Sequence, residues 1–283
     1  MWNKAGVQRF ANDAMHYTQK GIHAVQVGIE LAGALKGAYA IGGQLAGQFR
    51  QHHPEARITL VDLNAEALAA AADQHGAQAE TCDLTDIDAL PAWWQSLEDR
   101  HGPVDVLVNC AGIMDIISIT GTGWEKGKLL MDINFTAPMR LMDLALPAMV
   151  EARHGCVINV ASMAGRVPIR GCSYYGGAKA GIGLASEIAR LDLKKQGVNV
   201  ITVYPGPIYS GLESHARSQV KKGPASRFIP TGKPDVLAER IYNAFRKGNA
   251  RVIYPDIYSL AKQVANLNLT NRAMDFFSPQ PNQ

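Results

Sequence analysis

The 283-residue sequence has little cysteine, little aromatic content and almost no excess of either charge. Its four cysteines, Cys82, Cys110, Cys156 and Cys172, are far apart and form no C-x-x-C pair. That spacing argues against a disulfide framework or a metal cluster, so no metal site is expected. The thiols read as reduced and buried, as in a cytoplasmic protein. Twenty-eight basic residues against twenty-five acidic ones leave a net charge of +3, with the basic residues scattered. No nucleic-acid partner is expected from such a balance. No run of roughly 18 apolar residues occurs, so no membrane span is expected. The first 24 residues lack the apolar core of a secretory signal. Internal repeats and low-complexity linkers are missing as well. What remains is a composition that folds, with 47% hydrophobic and 19% charged residues.

Short apolar runs alternate with longer helical patterns. Strands are predicted at Arg57–Asp62, Val104–Asn109, Cys156–Ala161, Val198–Val203 and Arg251–Tyr254. They are nearly continuous in Val, Ile and Leu, as strands buried on both faces should be. Helices are predicted at Asn64–Gln74 with Asn64 as cap, and at Asp86–Arg100, Trp124–Arg153, Cys172–Gln196 and Asp235–Lys247. This alternation implies an α/β fold: a doubly wound, mostly parallel sheet in a three-layer, Rossmann-like arrangement. The expected organisation is an N-terminal extension over residues 1–24, then one domain over residues 25–283. The polar stretch Ser210–Pro230 reads equally well as a mobile lid over a pocket or as a surface excursion. The segment after Tyr254 reads as core packing, or as a cover for the pocket or a neighbouring subunit.

A dinucleotide site is expected between the first strand and the first helix, over Val25–Gly47. Gly37-Ala38-Tyr39-Ala40-Ile41-Gly42 runs into a helical pattern, and its glycines permit close approach to a pyrophosphate at a helix N-terminus. Gly37, Tyr39, Ile41 and Gly42 are the candidate contacts. The preceding run, residues 29–36, makes a weak strand. Asp62 ends the second predicted strand, 20 positions after Gly42. A carboxylate there can accept hydrogen bonds from an adenosine ribose and would repel a 2′-phosphate, which favours NAD over NADP. The alternative for Asp62 is a helix cap.

Tyr175 and Lys179 stand four apart on a predicted helix and share a face. A free phenol ionises near pH 10. A neighbouring ammonium favours the phenolate, so the tyrosine can exchange a proton with a substrate oxygen near neutral pH. Ser162 follows a predicted strand, 13 residues before Tyr175, and would meet it at the carboxyl edge of the sheet. Taken singly, Ser162 is equally a helix cap, Asn134 a buried amide at a helix kink, and Lys179 the partner of a carboxylate such as Glu187.

Asn159-Val160-Ala161-Ser162-Met163-Ala164-Gly165 followed by Tyr175-x-x-x-Lys179 resembles the short-chain dehydrogenase/reductase family. Asn109-Cys110-Ala111-Gly112, Asp83-Leu84-Thr85-Asp86, Asn134 and Pro205-Gly206-Pro207-Ile208-Tyr209-Ser210 fall in that family's order. The likeness covers roughly residues 25–255. It implies that Tyr175 is the general acid/base and that Ser162 polarises the substrate oxygen. It implies that Lys179 lowers the tyrosine pKa and binds the nicotinamide ribose, while Asn134 helps hold a water. Asp83 and Leu84 would contact adenine. Asn109, Ala111, Gly112, Pro205, Gly206, Ile208 and Ser210 would line the rest of the cofactor. The resemblance departs at the glycine loop. It implies a homodimer or homotetramer built on the two long helices.

The expected activity is hydride transfer between NAD, with NADP possible, and a carbonyl or secondary alcohol. Ile113, Met114, the Arg166–Ser173 loop and Pro207–Leu212 would form an apolar pocket for a lipophilic alcohol, ketone or acyl chain. The alternative is a catalytically impaired scaffold that senses a ligand or binds a partner.

Overall fold

The computed structural model describes residues 24–28, 40–219 and 230–259. Seven strands form one parallel sheet in the order β3-β2-β1-β4-β5-β6-β7. They are β1 (Ala24–Gly28), β2 (Arg57–Asp62), β3 (Gln78–Thr81), β4 (Val106–Asn109), β5 (Gly155–Val160), β6 (Val198–Pro205) and β7 (Arg251–Tyr254). The order reverses between β1 and β4, and ligands bind at such a switch point, outside the strands' carboxyl ends. Every residue of β5 is buried, as a central strand covered on both faces requires.

Helices α1 (Ala40–His52), α2 (Ala65–His75) and α8 (Pro234–Lys247) cover one face of the sheet. Their core includes Leu45, Phe49, Leu68, Ile241 and Phe245, with Phe49 edge-on to Phe245 at 5.2 Å between ring centres. On the other face lie α3 (Leu90–His101), α5 (Ala137–Ala152) and α6 (Ser173–Leu193), packed through Trp94, Leu141, Met149 and Ile182. Helix α4 (Trp124–Met131) leads into α5, and α7 (Gly211–Ser218) follows β6.

The strands predicted from Arg57 onward and the predicted helices are present, with shifted ends. Asn64 caps α2 as expected, accepting from the Ala67 N–H at 3.1 Å. Helix α3 starts at Leu90, later than the predicted Asp86, because the Asp86 carboxylate accepts from the Ala89 N–H and holds a turn. The expected single helix over Trp124–Arg153 is interrupted by a wide turn at Asp132–Thr136. Pro138 has no N–H to return to the Asn134 carbonyl, which accounts for the widening. Ala24 already belongs to β1, so the extension expected over residues 1–24 gives way to sheet by that point. The expected strand at residues 29–36 lies outside the described residues, as do Gly37 and Tyr39, and the strand that is described stands ahead of it.

Candidate active site

Ser162 follows β5 and caps the short turn Met163–Gly165, its Oγ accepting from the Ala164 N–H at 3.1 Å. The capping alternative therefore holds, yet it uses only a lone pair and leaves the hydroxyl proton to donate elsewhere. Tyr175 and Lys179 sit in the first two turns of α6, each 5% exposed. The serine turn lies directly on this helix. A Cβ on Gly176 would stand 2.9 Å from the Ala164 carbonyl oxygen, and one on Gly165 only 2.5 Å from the Ala180 nitrogen. Only glycine at position 165 lets the turn approach so closely.

Lys179 Nζ donates to the Val160 carbonyl at 2.8 Å and lies 6.0 Å from the centre of the Tyr175 ring. The alternative pairing of Lys179 with Glu187 fails. Eight residues along a helix separate the two by roughly 12 Å, and Glu187 is engaged by Arg166, Tyr204 and Arg251.

Asn134 is fully buried at the centre of the wide turn between α4 and α5. Its Nδ2 donates to the carbonyls of Leu130 and Ile113, each at 2.8 Å, so it closes the kink and ties it to the loop after β4. Its Oδ1 has no hydrogen-bond partner among the described residues. A Cβ on Gly112 would stand 2.8 Å from that oxygen and 3.4 Å from Lys179 Nζ. An orphan acceptor and an ammonium thus face one side-chain-free position, which suits a water or a ribose hydroxyl. The residues present fit a nicotinamide cofactor on this observation.

The other candidate contacts lie along the same edge, with different side-chain roles. Asp62 is 3% exposed and accepts from the Asn64 N–H at 2.7 Å. Burial pushes its carboxyl up to about 6, against the pull of the Asn64 and Leu63 N–H groups. It is not the helix cap, which is Asn64. Asp83 is exposed and accepts from the Thr85 N–H at 2.9 Å, turning the chain at Leu84. Leu84, Asn109 and Ala111 line a cleft with Val61, Ile133 and Pro138. The Asn109 amide donates to Asn159 Oδ1 at 2.8 Å, tying β4 to β5. Ile41 and Gly42 belong to the first turn of α1 rather than to a loop, and the Ile41 side chain is in the core. The Ile208 side chain is likewise in the core, not in a pocket, and its backbone bridges to Gly232. Tyr209 is largely exposed rather than pocket-lining. Pro205 ends β6, and Gly206 lies so close to Tyr258 that a Cβ would stand 2.5 Å from that ring.

Part of the stretch read as a lid or a surface excursion is helix α7, capped by Ser210, whose Oγ accepts from the Glu213 N–H at 3.2 Å. Residues 220–229 lie outside the described residues. The half-buried carboxylate of Asp115, which the sequence reading missed, holds α7 down. It takes hydrogen bonds from His215 at 3.0 Å and Gln219 at 2.5 Å and pairs with Lys126 at 2.9 Å. Burial opposes its charge, but these donors outweigh burial and keep its carboxyl below the usual range. Beside it, Ile116, Cys172 and Ala216 pack together with Met114 and Ile169.

A family model described as short chain dehydrogenase matches residues 32–221. Galactitol 2-dehydrogenase of Agrobacterium fabrum is 30% identical over 214 residues, 72% of this chain and 82% of that protein. The 3-oxoacyl-[acyl-carrier-protein] reductase MabA of Mycobacterium avium is 33% identical over 159 residues, 56% of this chain and 62% of its own length. A metagenomic short-chain oxidoreductase solved with NADP superposes with a TM-score of 0.64 at 25% identity, covering 82% of this chain and 96% of that one. A parallel sheet wound in this order, with a family match over most of the chain, places this protein in the short-chain dehydrogenase family of oxidoreductases.

Proposed function

We propose that the chain transfers hydride between a nicotinamide cofactor, NAD in preference to NADP, and the carbonyl or secondary alcohol carbon of a lipophilic small molecule. The observation that carries this reading is the meeting of Asn134 Oδ1 and Lys179 Nζ at Gly112, beside a serine turn seated on the tyrosine helix. The cofactor, when bound, supplies or accepts the hydride. In the reducing direction Ser162 Oγ donates to the substrate oxygen and Tyr175 passes its hydroxyl proton to it. The Lys179 ammonium stabilises the phenolate left behind and donates to the nicotinamide ribose. Asn134 Oδ1 holds a water from which the proton is replaced. Asp62 receives the adenosine ribose hydroxyls. Asp83 and Leu84 contact the adenine, and Ala111 lines the cofactor beside them. Asn109, Gly112, Pro205, Gly206, Ile208 and Ser210 line the remainder of the cofactor, largely through backbone.

The apolar group Met114, Ile116, Ile169, Cys172 and Ala216, closed by α7, supports a lipophilic substrate. The names of the relatives, one a polyol dehydrogenase and one an acyl-chain reductase, do not choose between the two chemistries. No described helix is long and apolar enough to cross a membrane. The four cysteines are buried and none is in a disulfide, which supports a reducing, cytoplasmic setting.

Titrating the chain with NADH and with NADPH, followed by cofactor fluorescence and thermal shift, tests the reading. Binding of NADH, tighter than NADPH, supports it. Binding of neither removes the oxidoreductase reading and leaves a scaffold of this fold.

A second copy of the chain is the proposed partner. Leu184, Ile188 and Leu191 lie on one face of α6 and are 62%, 49% and 74% exposed. Sedimentation should show a dimer or tetramer, and Leu184→Glu with Leu191→Glu should dissociate it. Monomeric wild-type chain would refute this pairing.

A further inference from the structure

Glu187 stands two turns beyond Lys179 on α6, outside the groups assigned to chemistry above. Its Oε1 accepts from Tyr204 Oη at 2.8 Å, from Arg251 Nε at 2.7 Å and from Arg166. Its Oε2 accepts from Arg251 Nη2 at 2.5 Å. Arg166 also reaches the Tyr204 hydroxyl and lies 4.2 Å over that ring. One carboxylate thus joins four segments that are distant in sequence: the serine turn, α6, β6 and β7. Burial opposes the charge of Glu187, but its donors outweigh burial and hold its carboxyl below the usual range. Burial and the facing carboxylate push the Tyr204 hydroxyl up to about 12, so it stays a neutral donor.

The partners are placed where the site needs support. Arg166 closes the turn that Ser162 opens, its N–H bonding to the Met163 carbonyl at 2.9 Å. Tyr204 immediately precedes Pro205-Gly206 at the end of β6. Its ring crosses α6 at Gly183, where a Cβ would stand 3.0 Å away. The C-terminal end of the serine turn meets α6 twice, at Ala180 through Gly165 and at Glu187 through Arg166.

We infer that Glu187 is a positioning residue, which through Arg166 and Tyr204 fixes the Ser162 turn and the Pro205-Gly206 edge against the helix that carries Tyr175 and Lys179. Resting on the proposed function, this inference deepens it. Misplacing a reacting group by about 1 Å costs roughly a hundredfold in rate, so loosening the tie should lower turnover more than cofactor binding.

The test compares wild type, Glu187→Ala, Glu187→Gln and Tyr204→Phe. For Glu187→Ala, kcat should fall at least tenfold while the NADH dissociation constant moves less than threefold. Glu187→Gln, which keeps an acceptor, should recover a large part of the loss. Tyr204→Phe removes one hydroxyl and should show the same split in smaller measure, which covers the case in which Glu187→Ala does not fold. Amide hydrogen exchange supplies a readout that needs no turnover. Residues 163–167 and 206–209 should exchange at least tenfold faster in these variants, with α2 unchanged. Unchanged exchange in both segments overturns the inference, as does an unchanged kcat in the folded variants. Wild-type chain that binds no cofactor sinks the oxidoreductase reading instead, and exchange still decides the role of Glu187.

Discussion

Tyr175→Phe is expected to lower kcat by about a hundredfold to ten-thousandfold and to leave NADH binding nearly unchanged. Tyr175 is 5% exposed, with Lys179 Nζ 6.0 Å from its ring centre and held by the Val160 carbonyl. Removing the hydroxyl removes the proton donor while keeping the ring that fills the space. General acid/base groups contribute factors in that range, or about 3–5 kcal/mol of barrier. Phe retains the packing, so the melting temperature should change little. Steady-state turnover by nicotinamide absorbance and NADH titration by fluorescence check both halves. Undiminished turnover with Phe at this position would assign the proton transfer to another group.

Asp62→Asn should raise stability and lower NADH affinity together. The Asp62 carboxyl is raised from 3.8 to about 6 by burial. A group raised on folding binds its proton more tightly in the folded chain. Its contribution therefore favours the fold at low pH. That contribution is lost as pH climbs from near 4 through about 6, and above that the ionised group carries a constant cost. A shift of this size corresponds to at most about 3 kcal/mol, less what solvent screening removes. Asparagine keeps the acceptor for the Asn64 N–H without the buried charge, so the melting temperature at neutral pH should rise by several degrees. A hydrogen bond to a charged group contributes about 1.5–3 kcal/mol, so NADH should bind roughly tenfold to a hundredfold more weakly. NADPH, freed from repulsion, should gain. Lowering the pH through about 6 should weaken the NADH preference of wild type in the same sense. Unchanged selectivity in Asp62→Asn, with raised stability, would reduce Asp62 to a buried turn residue.

The sheet was legible where strands are buried on both faces, because Arg57–Asp62 and Gly155–Val160 carry runs of β-branched and aliphatic residues. Strand β3 was not, since Gln78-Ala79-Glu80-Thr81 is an edge strand with no apolar face to read. Strand β1, Ala24-Val25-Gln26-Val27-Gly28, carries only two large apolar residues and runs straight into a glycine- and alanine-rich segment, so it did not stand out. Helix α7 was hidden in a polar stretch, although Ser210-x-x-Glu213 is a capping pattern that would have found it. Ser162, Tyr175 and Lys179 could be picked out from strand-end and helix spacing, whereas Asn134 was found only through the family resemblance. The ties at Asp115 and Glu187 could not. Their partners come from positions 126, 215 and 219, and from 166, 204 and 251, with no periodicity linking them.

A crystal structure of the chain with NADH bound tests the account most directly. The account predicts the nicotinamide ribose on Lys179 Nζ, the adenosine ribose on the Asp62 carboxylate, and the nicotinamide ring beside the hydroxyls of Ser162 and Tyr175. A dinucleotide bound away from this edge, or one whose nicotinamide turns from Tyr175, would contradict it.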